Sequence, residues 1–331
     1  MRALDRISGN NFLVVGRAGM DFFPTPAGTA IRHATEFSSG LGGSSANIAV
    51  AICKQGGQAA LVTTVSDDAV GAYCRQQLEN YGVSTAHVRT IKGEARTSLA
   101  VYESRIEGHQ TVIYRNNAAD FQMDLQDVEA PDYARYSGVI TTGTVFAAEP
   151  SRTAGYRALE LAAAAGLPVI FDIDYRPYSW ASAQLASEVL TKAAEMSDII
   201  IGNDEEFDFV AGTPGAGLAL ARELGRSPDR ITVYKMGEAG SITFTGGAAF
   251  ATGIYPVEAL KPTGAGDSFM GGFIASLAAG RPLPDCVARG SANAAIVVSR
   301  PGCAPAMEDT AGLDAFIAAH AGLSPPPEIP T

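Results

Sequence analysis

Residues 261–273 read Lys-Pro-Thr-Gly-Ala-Gly-Asp-Ser-Phe-Met-Gly-Gly-Phe, in which a turn of small residues leads directly into a carboxylate. Phe269, Phe273 and Leu277 recur at four-residue spacing, which predicts a helix after Asp267. The free N–H groups and the dipole of a helix start attract anions, and small residues let a ligand approach the backbone closely. Because Asp267 would repel phosphate, we interpret it as the acceptor for a hydroxyl that meets phosphate there, the geometry of a sugar kinase. A glycine-rich turn with Asp267 as a helix cap is the alternative.

The bulk composition limits the class of protein. The 331 residues suffice for one large α/β domain or two small ones, and 47% of them are apolar, enough for a full core. The net charge of -11 argues against nucleic acid or an anionic membrane as a partner. The four cysteines lack metal-binding spacing, and the sequence shows neither a signal peptide nor an apolar run of ~20 residues. We therefore expect a soluble, cytoplasmic protein.

Short apolar runs alternate with helical patterns along the chain. The predicted strands cover residues 11–16, 59–65, 138–142, 168–173, 198–201 and 231–236. The predicted helices between them cover residues 44–55, 69–81, 151–165, 183–196 and 217–224. This alternation predicts a parallel sheet with helices on both faces, in which ligands bind at the carboxyl ends of the strands.

Two segments break this alternation. Residues 17–40 have little helical pattern, and residues 97–103 and 110–115 alternate apolar and polar side chains as a hairpin does. We predict a small β-sheet lid over the strand ends, formed by about residues 17–40 and 95–120. The large sheet, its helices and the lid are expected to form a single kinase domain over residues 1–323, followed by a Pro-rich, disordered tail at 324–331.

With these motifs in hand, the chain resembles the ribokinase-like (PfkB) carbohydrate kinases over nearly its whole length. Further motifs that carry the resemblance are Gly42-Gly-Ser-Ser-Ala-Asn47, Asn203-Asp-Glu-Glu206 and Lys235-Met-Gly237 with Gly240. The resemblance implies a ribokinase-like α/β fold, with a central, mostly parallel sheet between two helical layers and a small β lid. It also implies ATP as phosphoryl donor and Mg²⁺ as its companion ion.

Family resemblance assigns the roles around the phosphates. Asp267 is the expected base, and the backbone of Gly264, Ala265 and Gly266 is expected to hold the transferred phosphoryl group. Asn203 and Glu206 are expected to serve the triphosphate and Mg²⁺, whereas a solvated acidic helix start is the interpretation for the neighbouring Asp204, Glu205 and Asp208. The remaining expected nucleotide contacts are Lys235, Gly237, Gly240, Gly264, Gly266 and Asn293. For Asn293, packing within an Ala-rich helix is the alternative.

Two arginines suggest the class of substrate. Arg115 ends the predicted hairpin and Arg176 follows a predicted strand, so both can reach one pocket, where the guanidinium fork suits a carboxylate. Surface salt bridges are the alternative for both. Arg17 is a third candidate. The other expected substrate contacts are Asp21, Gly42, Gly43 and Asn47, with turn stabilisation or capping as alternatives.

Within the family, residues 16–21, 114–120, 172–180 and 197–203 resemble the kinases of keto-deoxy sugar acids in inositol breakdown. We therefore expect transfer from ATP to the terminal hydroxyl of such an acid. The first candidate is 5-dehydro-2-deoxygluconate and the second is 2-keto-3-deoxygluconate. A non-enzymatic sugar-acid sensor is the alternative of another class. A Rossmann dehydrogenase is disfavoured because the GxGxxG order is absent.

Lys261 departs from the family pattern, in which many members have an Asp that helps to hold a monovalent cation. We predict that its ammonium group takes the place of K⁺, so that K⁺ is not required. A side chain that points to solvent is the alternative. Lids in this family often pair, so a homodimer through the lid is also expected.

Overall fold

A nine-stranded sheet forms the centre of the computed structural model, which describes residues 3–7, 9–105, 108–320 and 322–330. The described residues contain thirteen strands, namely β1 (Asn11–Val15), β2 (Gly19–Thr25), β3 (Glu36–Gly42), β4 (Gln58–Ser66), β5 (Ser84–Ile91), β6 (Ser98–Tyr102), β7 (Thr111–Tyr114), β8 (Gly138–Thr142), β9 (Val169–Asp172), β10 (Ile199–Asn203), β11 (Ile231–Lys235), β12 (Ser241–Thr245) and β13 (Ala248–Thr252). Their α-helices are α1 (Ala3–Arg6), α2 (Ser44–Lys54), α3 (Ala69–Asn80), α4 (Leu125–Glu129), α5 (Ser151–Ala164), α6 (Ala183–Glu195), α7 (Asp204–Ala211), α8 (Gly217–Leu224), α9 (Ala265–Ala278), α10 (Leu283–Val298) and α11 (Thr310–Ala319).

The strand order of the large sheet is β13-β12-β11-β10-β9-β8-β1-β4-β5. Every pair from β11 through to β5 is parallel, and the β12–β13 hairpin adds two antiparallel strands at one edge. The central strands are continuous Val and Ile runs because both of their faces are covered. The predicted mostly parallel sheet is confirmed.

Apolar side chains alternate between two cores, one on each face of the sheet. Phe12 and Val14 of β1 belong to the core under α2, α3, α9 and α10, which also contains Phe273. Leu13 and Val15 belong to the opposite core under α4 to α8, which also contains Phe171. Successive strand residues point to opposite faces, so one strand supplies both layers. The helices therefore cover both faces of the sheet, as predicted.

A separate four-stranded sheet, in the order β3-β2-β6-β7, forms the predicted lid. It consists of two antiparallel hairpins joined through the parallel pair β2–β6. The buried Glu103 ties the lid together, accepting hydrogen bonds from the backbone N–H groups of Ile31 at 2.7 Å and Gln110 at 3.0 Å. The first lid segment extends to Gly42, two positions beyond the predicted end.

Several elements were not predicted. Strand β5 is an edge strand with polar and half-buried residues, so it lacks the apolar run that marks its neighbours. Strands β12 and β13 are joined by a two-residue Gly246-Gly247 turn. The helices α4, α7, α10 and α11 were likewise not delimited in advance. The unpredicted strands lie at the edges of the sheet, whereas α10 is largely buried, so burial alone does not decide which helices the sequence delimits.

The Pro-rich tail contains no helix or strand over residues 322–330. The Ser324 backbone N–H donates to the Ile254 carbonyl at 2.7 Å, and the Ile254 N–H donates to Ser324 Oγ at 3.0 Å. Disorder of the tail stays a prediction. In the part of the chain that the structure describes, no helix is both long and apolar enough to cross a membrane.

Candidate active site

The carboxyl ends of the parallel strands carry polar side chains, most of which the sequence analysis singled out. Arg17 follows β1, Asp172 ends β9, Asn203 ends β10 and Lys235 ends β11. The start of α9 lies among them, because a Cβ built on Gly266 would lie 3.4 Å from Lys235 Nζ and 4.0 Å from Asp172 Oδ2. Residues far apart in sequence therefore meet at one edge of the sheet, as expected for this class of sheet.

Helix α9 begins at Gly264, whose φ of 85° is in the left-handed region that glycine tolerates. A side chain at this position would also meet Cys303 Sγ at 2.9 Å. No side chain caps the helix, and the backbone N–H groups of Ala265, Gly266 and Asp267 have no acceptor among the described residues. The structure thus leaves three donors free at a helix start, the arrangement that binds phosphate.

Asp267 is half-buried in the first turn of α9, and Asn47 Nδ2 donates to its Oδ2 at 2.9 Å. Burial raises the pKa of Asp267 to about 6, and the neighbouring Asp174 adds to the rise. The hydrogen bond from Asn47 and the charges of Arg176 and Arg17 oppose the rise. Asn47 therefore orients Asp267, a contact that the sequence analysis did not predict.

Lys235 and Asp172 flank the helix start. Asp172 was not predicted as a site residue. Its Oδ1 accepts from the backbone N–H of Asp174 at 3.1 Å, whereas its Oδ2 has no hydrogen-bond donor in the described residues. Burial raises its pKa to about 7, opposed by Lys235 and reinforced by Glu206, Asp174 and Asp267. A cation and a carboxylate thus face the free N–H groups of α9.

Asn203 and Glu206 form a capping box at the start of α7. Asn203 Oδ1 accepts from the Glu206 N–H at 2.8 Å, and Glu206 Oε2 accepts from the Asn203 N–H at 2.9 Å. Glu206 Oε1 also accepts from the Tyr175 N–H at 3.2 Å. Glu206 is buried, whereas Asp204 and Glu205 are exposed, in keeping with the solvated helix start considered for them.

Arg176 is paired with two carboxylates. Its Nη2 lies 2.8 Å from Asp174 Oδ1, and its Nη1 lies 3.5 Å from Glu206 Oε1. Asp174 adopts an uncommon φ of 36° and accepts from Thr144 Oγ1 at 3.1 Å. The salt bridges considered for Arg176 are present, but they lie at the site and not on a remote surface.

Arg115 is buried and paired with Asp120, whose Oδ2 accepts from Arg115 Nε at 3.1 Å. Its Nη2 donates to the same oxygen and to the Thr144 carbonyl at 3.0 Å, and its guanidinium lies over the Phe121 ring. Arg115 Nη1 has no hydrogen-bond partner. Thr144 therefore connects Arg115 with Asp174 and Arg176 through its carbonyl and its hydroxyl.

Arg17 and the lid residue Asp21, on β2, are both buried. The Arg17 guanidinium donates to Ser98 Oγ of the lid at 3.5 Å. The Asp21 carboxylate packs against Gly42, where any side chain would overlap it. Burial raises the pKa of Asp21 to about 7, with Arg17 acting in the opposite direction. Gly43, with a φ of 94°, lets the chain pass the Arg17 carbonyl closely.

The remaining predicted nucleotide contacts, Gly237, Gly240 and Asn293, lie in two places. Gly237 and Gly240 have φ values of 54° and 93° and shape the turn from β11 to β12, with the Met236 N–H bonded to the Gly240 carbonyl at 2.8 Å. Asn293 is buried in α10, and its Nδ2 would lie 2.5 Å from a Cβ on Gly272 of α9. This contact favours helix packing for Asn293, and its nucleotide role stays a prediction.

Lys261 is 0% exposed, so the alternative that it points to solvent is wrong. Its ammonium group donates to the Thr263 carbonyl at 2.7 Å and to the Val297 carbonyl at 3.0 Å. Burial lowers its pKa, and Cys303, Asp267 and Asp21 act in the opposite direction. A cation therefore lies between two backbone carbonyls, just before α9.

Comparison with known proteins identifies the family. The sequence profile of the pfkB family carbohydrate kinases matches residues 10–310. The chain belongs to this family. It is 39% identical to a 5-dehydro-2-deoxygluconokinase of Photobacterium profundum over 92% of its length and 94% of that protein. It is 35% identical to the enzyme of the same name from Geobacillus kaustophilus, over 94% of each chain. The protein is a sugar kinase.

Solved structures of other carbohydrate kinases share the fold. Fructokinase from Vibrio cholerae, solved with fructose, ADP and a potassium ion, superposes with a TM-score of 0.83 at 24% identity, over 93% of this chain and 98% of that one. Aminoimidazole riboside kinase from Salmonella enterica, solved with its riboside and an ATP analogue, has a TM-score of 0.80 at 22% identity, over 94% and 100% of the two chains. The ribokinase-like fold class is thereby confirmed.

Proposed function

We propose that this kinase transfers the γ-phosphoryl group of ATP to the terminal hydroxyl of a keto-deoxy sugar acid, with 5-dehydro-2-deoxygluconate as the first candidate. One observation carries the chemistry, namely the meeting of Asp267, Lys235 and three free N–H groups at the start of α9. The names of the relatives from Photobacterium profundum and Geobacillus kaustophilus support the substrate. 2-Keto-3-deoxygluconate is the second candidate.

Asp267 acts as the acceptor of the hydroxyl proton. With a pKa of about 6 it is mostly ionised at neutral pH and can accept a hydrogen bond from the sugar. In a loose phosphoryl-transfer transition state the alcohol loses its proton late, so Asp267 first orients the hydroxyl and then takes the proton. Asn47 holds the carboxylate in place for both steps.

The start of α9 receives the transferred group. The free N–H groups of Ala265, Gly266 and Asp267 bind phosphoryl oxygens, and the helix dipole stabilises their negative charge. Lys235 adds a positive charge beside Gly266. Gly237 and Gly240 lie at the next turn of the sheet edge, where the rest of the nucleotide is expected.

The residues present fit a Mg²⁺ ion that travels with ATP. Mg²⁺ in nucleotide sites keeps several waters and takes only one or two protein carboxylates. Asp172 Oδ2 and Glu206 would supply these two carboxylates. The described residues contain no group of three or more Asp, Glu, His or Cys side chains that could hold a metal by themselves, so the ion would depend on the phosphates and on water for its other ligands. The ion would neutralise charge on the phosphates, while Lys235 and the α9 backbone position them.

The sugar is placed beneath the lid. Asp21 and the Gly42-Gly43 segment face its hydroxyl groups, and Arg115 and Arg176 offer hydrogen bonds to its acidic end. Lys261 replaces K⁺ beside the phosphate turn, because its ammonium is already bonded to two carbonyls there. A homodimer through the lid and a cytoplasmic location stay predictions.

A coupled ADP-release assay tests the proposal. Sugar acids, including both candidates, are compared with fructose and ribose under matched conditions. We expect turnover with a keto-deoxy sugar acid, and a loss of about 10²- to 10⁴-fold in kcat for Asp267→Asn. Preference for a neutral sugar would contradict the substrate class. Binding of a sugar acid without ADP release would favour the sensor alternative.

A further inference from the structure

The site contains three arginines, and Arg17, Arg176 and Arg115 all interact electrostatically with the phenol of Tyr178, an exposed residue that follows β9. They differ in the carboxylates that accompany them. Arg176 is paired with Asp174 and Glu206, and Arg115 is paired with Asp120. The chain itself therefore neutralises two of the three positive charges.

Arg17 differs from the other two arginines. No carboxylate oxygen of the described residues lies within 4.0 Å of its guanidinium nitrogens. Its hydrogen bond goes to the neutral Ser98 hydroxyl at the long distance of 3.5 Å, and its Nε has no partner. The residue is only 7% exposed. Because arginine stays charged in proteins, the fold here retains a buried positive charge without a paired anion.

The nearest carboxylates do not remove this charge. Asp120 and Asp21 interact electrostatically with Arg17, but neither bonds to it. Asp120 is engaged by Arg115, and Asp21 packs against Gly42. A buried cation is costly unless an anion pairs with it, so the missing partner points to a ligand.

We propose that Arg17 selects an acidic sugar by pairing with the carboxylate of the substrate. The inference rests on the proposed function and revises the roles within it. Arg115 and Arg176 supply hydrogen bonds from already neutralised ion pairs, whereas Arg17 supplies the net charge that distinguishes an acid from a neutral sugar.

Arg17 and Asp267 lie near each other, and the two interact electrostatically. The Arg17 carbonyl accepts from the Ala46 N–H at 3.1 Å, at the start of α2. The next residue, Asn47, donates to Asp267. Both residues are thus held at the start of α2, and the proposal places the terminal hydroxyl at Asp267 and the acid group towards Arg17 and the lid.

Kinetics with matched substrates tests the proposal. For Arg17→Met we expect kcat/KM for the sugar acid to fall about 10- to 100-fold, as for loss of a charge-assisted hydrogen bond. The preference for the acid over fructose should fall with it, while the KM for ATP stays unchanged. Arg17→Lys should restore part of the preference because it keeps the charge. The control is Arg157→Met, which removes an arginine paired with Glu129 on the outer helical layer and should alter none of these values.

Calorimetric binding separates this inference from the proposed function. The Asp267→Asn protein is titrated with 5-dehydro-2-deoxygluconate, with and without Arg17→Met. Binding that weakens at least 10-fold on loss of Arg17 supports the proposal. Equal binding by both proteins overturns the role of Arg17 and leaves the kinase proposal standing. No binding of either candidate sugar acid to Asp267→Asn overturns both.

Thermal unfolding distinguishes charge selection from packing. The electrostatic contacts of Arg17 with Asp120 and Asp21 oppose the cost of its burial, so charge selection predicts a folded Arg17→Met protein whose loss of activity is confined to the acid substrate. A lowered Tm, together with equal losses of activity on the acid and on fructose, would show a packing role and overturn the proposal.

Discussion

At the scale of single residues, the titration of Asp267 governs the expected pH dependence. Its pKa is raised to about 6 by burial and by Asp174, so the protonated form dominates below that pH and cannot accept the hydroxyl proton. We expect kcat to fall as the pH decreases through about 6, in a profile measured between about pH 5 and pH 8. Asp172 and Asp21, with pKa values of about 7, titrate in the same range and broaden the pH interval over which kcat falls. A profile that stays flat in this range would contradict the assignment.

The same raised pKa predicts an effect on stability. A carboxyl whose folded-state pKa exceeds its unfolded value destabilises the fold when ionised, and the cost disappears below the unfolded pKa of ~4. Asp267→Asn should therefore have a higher Tm than the unmodified protein at about pH 8, and the difference should shrink as the pH falls from about 6 to 4. Thermal unfolding across this range is the measurement. A lower Tm for the variant at about pH 8 would show that the charge is stabilising.

The sequence predicted single residues where a local motif defines them. The glycine turn and Asp267 lie within a few positions of each other, so their proximity needed no knowledge of the fold. Asn47 bonds to Asp267 across 220 positions, and Arg115 bonds to the Thr144 carbonyl across 29, so both contacts exist only because distant segments converge at the site. The sequence did not indicate that Lys261 is buried, because its hydrogen-bond partners are backbone carbonyls, which leave no pattern in the side chains.

At the scale of elements, the start of α9 predicts that only glycine fits at position 264. Ala at this position meets a φ of 85° and Cys303 Sγ at 2.9 Å, so the helix start must shift. Gly280, at the other end of the same helix, has a φ of 70° and open space around it. Both Ala variants should lose about 1–2 kcal/mol of stability from backbone strain. Only Gly264→Ala should also lose kcat, by about 10-fold or more, since misplaced groups cost rate steeply. Equal kcat values for the two variants would contradict the role of the turn.

Interior strands of the large sheet were predicted well, and strands at its edges were not. The segment 138–142 was predicted and matches β8, which lies inside the sheet. Strand β5 and the hairpin β12–β13 lie at the two edges, where polar residues are tolerated. Position in the sheet, which the local sequence does not contain, therefore decided which strands of this sheet were missed.

Lys261 joins two elements, the segment before α9 and the end of α10. Its ammonium group bonds to the carbonyls of Thr263 and Val297, oxygen atoms of the type that coordinate a monovalent cation. We therefore expect the kinetics to be unchanged when K⁺ is replaced by Na⁺ or Tris salts after dialysis. A several-fold activation by K⁺ would contradict this. Lys261→Met should lower the Tm, because both carbonyls lose a charged donor in a buried place.

At the scale of the whole molecule, the site is assembled from two sheets. The large sheet supplies the phosphate and metal side, and the lid supplies Asp21, Ser98 and the residues next to Arg115. Under the proposed function the sugar binds where the two sheets meet, and its acid end contacts residues of both. We therefore expect any contact that fixes the lid, within the chain or between two chains, to change substrate affinity.

The outer strands of the lid, β3 and β7, lack a partner on one side within the described chain and carry exposed apolar side chains, Phe37 and Tyr114 among them. If two copies pair through these strands, Phe37→Glu should place charge in the interface and shift the mass measured by light scattering from dimer to monomer. Leu125→Glu is the matched control, because Leu125 is equally exposed, at 43%, but lies on α4 outside the lid. The dimer is refuted if the unmodified protein is monomeric at every concentration measured. If Leu125→Glu shifts the mass to that of a monomer and Phe37→Glu does not, the interface lies outside the lid. Loss of the dimer should also raise the KM for the sugar more than that for ATP, because the lid contacts the sugar.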